Sequence, residues 1–218
     1  MARASVTELL RETYAALASV VDELGEREAW TPTGCVGWTA HDLVWHLHAD
    51  AVRGLVAAHT PAGRSADCDS VAYWRAWGSD PDADERNRRM TRVEAGLHTF
   101  KEVRERYLEA SSAAVRAVSA LPADEVLVTQ GHAIRGDDLA STLAVEATLH
   151  HLDLVAHLGG AAPPTPAGMA EVRCVVEELL DRSLGWSDER VALVGTGRAD
   201  PTPEELDDLA GTVVPVFS

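Results

Sequence analysis

Cysteine is scarce in this chain: Cys35, Cys68 and Cys174 are an odd count in 218 residues, widely separated and without a C-x-x-C pair. That spacing argues against a disulfide framework and against a thiolate zinc site, and leaves three free thiols. Long apolar runs are missing as well. No window approaches the roughly 18 apolar residues of a membrane span, and the opening MARASVTELL lacks the uninterrupted apolar stretch of a secretion signal. The expectation is a cytoplasmic protein with no membrane partner. Positive charge is also in short supply, with 19 Lys+Arg against 35 Asp+Glu and a formal net charge of −16. A surface of that sign repels phosphates, so nucleic acid is a poor partner. Aromatic residues are only 5% of the chain, which gives weight to the places where they cluster.

What remains is ordinary globular material, 46% hydrophobic and 25% charged, enough for one good-sized domain. Leu10, Tyr14, Leu17, Val21 and Leu24 follow the three-and-four spacing of a helix with one buried stripe, over about 6–24. After TPTGCVGWT, the pair Thr39 and Asp42 resembles a cap that opens a second helix at Ala40, running to about His59. A third helix is expected from about Asp84 to Leu121 with Gly96 as a possible kink, a fourth from about Asp137 to Leu158, and a fifth from about Ala167 to Leu184. The tail reads as a short strand at VALVGTGR, a short helix at PEELDDLAG and a final strand at TVVPVF. The expected class is therefore mainly α, an up-and-down four-helix bundle over 1–160, with residues 161–218 forming the fifth helix and a small C-terminal α/β appendage. The loop from about Ala62 to Asp80 carries Tyr73, Trp74 and Trp77 and is expected to cover the pocket of the ionisable residues described next rather than hang in solvent.

The stripe of helix four begins apolar and then turns ionisable: Leu139, Leu143, Glu146, His150, Asp153, His157. An inward carboxylate costs several kcal/mol unless it is paired or bound to a metal. Glu146 and His150, four residues apart, are neighbours on one face and could share a cation. His46 lies at the edge of helix two's apolar face, formed by Leu43, Val44, Leu47, Ala51 and Leu55, and supplies a third ligand. A His₂Glu set is the catalytic rather than the structural zinc pattern, because it leaves coordination positions open. The same residues also suit a plainer reading, in which they hydrogen-bond to one another or face water.

Two motifs narrow the choice. GWTAHDLVWHLHAD (Gly37 to Asp50) and VEATLHHLDLVAHLG (Val145 to Gly159) resemble the paired helical segments of the DinB-like group that includes the mycothiol-dependent maleylpyruvate isomerase, and VGTGRADPTPEE is similar to a tail often seen there. The resemblance implies a DinB-like bundle holding one divalent metal ion, zinc or else nickel, on His46, Glu146 and His150, with mycothiol as cosubstrate. It implies a thiol-dependent transferase or isomerase acting on a small electrophile, as a monomer or homodimer. A metal-dependent hydrolase at the same site and a non-catalytic ligand-binding bundle are the alternatives. Three further residues are candidates for catalysis. Asp153 is placed to orient a ligand imidazole or to pair with an arginine, Arg53 to meet a substrate carboxylate or pair near Asp50, and Arg198 to clamp an anion or stabilise its glycine-rich turn. Cys35 is expected to be a buried structural thiol, and His48 and His151 to be exposed.

Overall fold

A computed structural model describes residues 5–75, 81–122, 124–209 and 211–217. Helix α1 (Val6–Glu23) starts at a capping box between Ser5 and Glu8. Helix α2 (Ala40–Ala57) starts at the expected one, Thr39 accepting from the Asp42 amide while Asp42 accepts from the Thr39 amide. A single turn, α3 (Ala72–Arg75), and α4 (Pro81–Ala95) come next, then α5 (Phe100–Ser119), α6 (Gly136–Val155) and α7 (Pro166–Leu180). Two short helices, α8 (Asp188–Gly195) and α9 (Pro203–Asp208), end the described elements. Helices α1, α2, α5 and α6 form the bundle, each of the first two packing against both of the others, and α7 lies against α6 and α1.

The stripes identified in the sequence make the core. Leu10, Tyr14, Leu17 and Val21 of α1, Leu43, Val44, Leu47 and Ala51 of α2, and Leu139 and Leu143 of α6 are all buried. At Gly54 the helices α2 and α6 come so close that a Cβ would sit 2.9 Å from a Leu143 methyl. That approach lets His46 of α2 reach the ionisable stripe of α6.

Three local expectations need correction. The single third helix is two, because Gly96 closes α4 and Thr99 opens α5 with its own capping box on Glu102. Its stripe was long enough for one helix, but a local cap offers the backbone a fresh start at little cost. VALVGTGR is not a strand: Val191, Ala192 and Val194 belong to α8, capped by Ser187 and buried. TVVPVF forms no strand among the described residues. The β structure is instead a hairpin, β1 (Val126–Thr129) and β2 (His132–Arg135), paired from Val126↔Arg135 to Thr129↔His132. Its turn is Gln130-Gly131, both at positive φ, as a two-residue hairpin of this hand requires.

Tyr73 and Trp74 of the aromatic loop are buried, Trp74 stacking on Phe217 at 4.7 Å and Tyr73 set against His132 of the hairpin. Trp77 lies outside the described residues.

Gly168 marks a tight junction of α7 with α6 and α1. A Cβ there would lie 2.4 Å from Thr148 Oγ1 and 2.8 Å from Thr13 Cγ2, and both threonines are pinned by bonds to their own helices, to Ala144 and Leu9. Gly168→Ala, in the first turn of α7, gains less than the roughly 1 kcal/mol of a helix interior, while overpacking against stiff neighbours costs about 1–3 kcal/mol. The variant is expected to be less stable than the parent in urea unfolding; equal or greater stability would show that α7 yields freely.

Candidate metal centre

Glu146 sits between two imidazoles. His46 Nε2 lies 3.3 Å from Glu146 Oε1 and His150 Nε2 lies 3.4 Å from the same oxygen. The two rings meet edge to face at 4.7 Å, and one donor atom from each of the three residues falls within 4.8 Å of the others. Donors bound to one zinc at about 2.0–2.2 Å lie roughly 3–3.5 Å apart in a tetrahedron, so the donor set suits a divalent ion with little rearrangement. Two helices supply it, α2 with His46 and α6 with Glu146 and His150 one turn apart. Burial alone would raise Glu146, but the hydrogen bonds from His150 and His46 outweigh it and hold the carboxyl well below its usual range.

Around this trio lies a second layer of contacts. His150 Nδ1 is 3.0 Å from Asp153 Oδ2. Donation to that carboxylate orients the ring so that Nε2 points at Glu146. Arg198 grips Asp153 with two donors, Nε to Oδ1 at 2.9 Å and Nη2 to Oδ2 at 2.8 Å, and also donates to Thr196 Oγ1 at 2.9 Å. Burial would raise Asp153, yet the His150 hydrogen bond and the Arg198 charge hold it well below the ordinary carboxylate range. The Gly34 amide caps the Asp153 carbonyl at 2.8 Å. A Cβ on Gly34 would stand 2.6 Å from Asp153 Oδ1, so only glycine lets the loop approach this closely.

Arg53 does not reach the trio. Its guanidinium holds Asp50, Nη2 to Oδ1 at 2.6 Å, donates to Thr129 Oγ1 at 3.3 Å, and lies 5.9 Å above the ring of Tyr73. Tyr14 completes the group by donating to Asp50 Oδ2 at 3.5 Å. Arg53 thus ties α2 to the hairpin and to the aromatic loop.

Three residues stand where the sequence did not put them, and one is His48, expected exposed but partly buried with its Nδ1 out of solvent. Cys35 belongs to the site's second layer, donating to Asp153 Oδ2 at 3.2 Å with its sulfur 3.7 Å from His150 Nδ1. Burial pushes its thiol pKa up, which keeps it a hydrogen-bond donor. The only sequence hint was its place in the tight T-G-C-V-G turn. His151 is buried, not exposed, and bonds the Ala162 carbonyl at 3.0 Å. Periodicity alone pointed it away from the bundle, where the segment at Ala162 meets it.

The model of the mycothiol maleylpyruvate isomerase N-terminal domain matches residues 10–155, which span α1 through α6 and hold all three members of the trio. The chain belongs to that family. Among solved structures it is similar to the mycothiol-dependent maleylpyruvate isomerase, with a TM-score of 0.58 and 14% identity over 83% of this chain and 70% of the other. A form of that isomerase with one histidine replaced by alanine gives a TM-score of 0.57 at 13% identity, with the same coverage. At such identity the likeness is one of fold. No curated protein matches the sequence. In this family member the DinB-like bundle is therefore established, and what the trio does has to be argued from its chemistry.

The Asp153–Arg198 pair generates a pH-dependent expectation. A carboxylate held below its unfolded pKa contributes stability that is present above about pH 3.9 and lost as pH falls toward the folded value. Arg198→Gln strands Asp153 and is expected to cost about 3 kcal/mol near neutrality. In urea unfolding followed from pH 7 to pH 3, the gap between parent and variant should narrow once pH drops below about 4. A gap that stays constant across this range would mean that Arg198 stabilises by packing alone.

Proposed function

We propose that the chain is a metal-dependent enzyme that uses a low-molecular-weight thiol, mycothiol in this family, to transfer sulfur to a small electrophile or to isomerise it. The observation that carries the reading is the convergence of His46 Nε2 and His150 Nε2 on one oxygen of an inward Glu146. On this reading His46, Glu146 and His150 hold one divalent ion, zinc before nickel in ordinary availability. When bound, such an ion lowers the pKa of a coordinated thiol from about 8.5, so that it reacts as thiolate at neutral pH.

The chain's own residues prepare that event. Asp153 accepts the Nδ1 proton of His150 and keeps its Nε2 a ligand, while Arg198 balances the Asp153 charge so that the carboxylate stays ionised. The Trp38 ring, 5.1 Å from that of His46, covers one side of the trio and limits water. Asp153 and Arg198 act as positioning residues, and Arg53 holds Asp50 one turn beyond His46. Residues 1–160 carry the trio, and 161–218, packed on them, deliver Arg198. Because Cys35 is committed to Asp153, the reacting sulfur comes from outside the chain.

Protein prepared without a metal-affinity tag should contain one equivalent of divalent metal, and His46→Ala or His150→Ala should lose it with helix content intact by circular dichroism. Protons compete for all three ligands, so affinity should weaken as pH falls. Turnover of an activated alkene should depend on added thiol and disappear in Glu146→Ala. Parent-like metal content in both histidine variants would end the assignment. Full turnover in thiol-free buffer, with solvent oxygen in the product, would establish the hydrolase instead.

A further inference from the structure

A cleft of about 470 Å³ opens beside the metal centre, lined by Val36, Gly37 and Trp38 on one side and by Glu85, Arg88 and Arg92 of α4 on the other. Its size is that of a small-molecule site, about 300–1,000 Å³. Trp38 forms the inner wall. Its indole N–H donates to the Arg88 carbonyl at 3.2 Å, and its ring is the one that packs against His46. One side chain therefore borders both the cleft and the proposed metal site.

The charge in this cleft runs against that of the rest of the molecule. In a chain of net charge −16, positions 86–92 hold four arginines. Arg88 and Arg92, four residues apart, share the face of α4 that lines the cleft. Arg88 is paired with Glu85 at 3.2 Å, both half-exposed, an arrangement worth little and readily exchanged. Arg92 makes no ion pair among the described residues. The interior cations offer no substitute, since Arg53 is bound to Asp50 and Arg198 to Asp153. Of the arginines that border the trio or the cleft, Arg92 carries no ion pair among the described residues and Arg88 carries only the exposed one to Glu85.

We propose that the Arg88–Arg92 cleft is an anion subsite that receives the carboxylate of a small organic acid and holds it one indole ring away from His46. Guanidinium matches carboxylate with two parallel N–H donors, and a positive island on an acidic surface concentrates anions locally. The assignment rests on the metal-centre reading for what the anion is brought to, not for the binding itself. Glu85 is the competitor that the ligand displaces from Arg88.

Succinate and its uncharged dimethyl ester, titrated into zinc-loaded and chelator-treated protein, provide the test by ¹H–¹⁵N NMR. Succinate should move the Gly37 amide and the Arg88 and Arg92 Nε–H signals saturably in both preparations, and the diester should leave them in place. Arg88→Gln and Arg92→Gln should each weaken binding about threefold and together about tenfold or more, while Glu85→Gln should tighten it, a gain that no folding defect imitates. Equal shifts with the diester, parent-like binding by the double variant, or binding only when zinc is present would overturn the subsite. Metal uptake without succinate binding removes this proposal alone. Succinate binding by protein that takes no metal keeps the cleft and removes the metal reading.

Discussion

A carboxylate turned inward on a helix stripe must be answered, and Glu146 is answered by His46 and His150 at 3.3 and 3.4 Å. The surrounding structure can be followed outward from that requirement. To bring His46 within reach, α2 must approach α6 closely, which Gly54 permits against Leu143. To hold the His150 ring in one orientation, Asp153 must stay ionised although buried, and Arg198 supplies the compensating charge. The C-terminal segment is thereby bound electrostatically to the bundle, and the Gly34 loop closes over Asp153 from the other side. Removing one partner of such a buried pair costs far more than the pair itself contributes, so these contacts constrain the arrangement even where they add little net stability.

The bundle and the trio were legible because both rest on periodicity. Apolar residues at three-and-four spacing marked α1, α2 and α6, and on α6 the same spacing carried Glu146, His150 and Asp153 inward with the leucines. Periodicity says nothing of breaks, so the long stripe between Asp84 and Leu121 concealed the α4–α5 corner, where Thr99 and Glu102 restart the helix. The hairpin was legible in principle, since Gln130-Gly131 stands between two runs rich in β-branched or apolar residues, but each strand is only four residues long. Val191 to Val194 suited a strand by composition, and the Ser187 cap with burial against α7 decided for helix. Partners distant in sequence left no local signature: Cys35 with Asp153, Arg53 with Thr129, and His151 with Ala162 all depend on how separate segments meet.

Charge is sorted with the same economy. Buried arginines are each assigned to one buried aspartate, Arg53 to Asp50 and Arg198 to Asp153. Both had been candidates for substrate binding, and the pairs now explain their burial without a ligand. In the proposed anion subsite the cations that would meet an outside anion, Arg88 and Arg92, lie on α4 at the mouth rather than in the interior. Such a division gives each charge a task that its solvation permits, since a buried guanidinium must be paired whereas an exposed one can wait for a ligand at little cost.

The claim that an external thiol meets a metal ion at His46, Glu146 and His150 is tested most directly by the visible spectrum of cobalt-substituted protein titrated with mycothiol. The account predicts a sulfur-to-cobalt charge-transfer band that grows to one thiol per metal in the parent, persists in a Cys35→Ser variant, and is absent from Glu146→Ala. A cobalt spectrum indifferent to the thiol, or a sulfur band present before thiol is added and lost with Cys35, would contradict it.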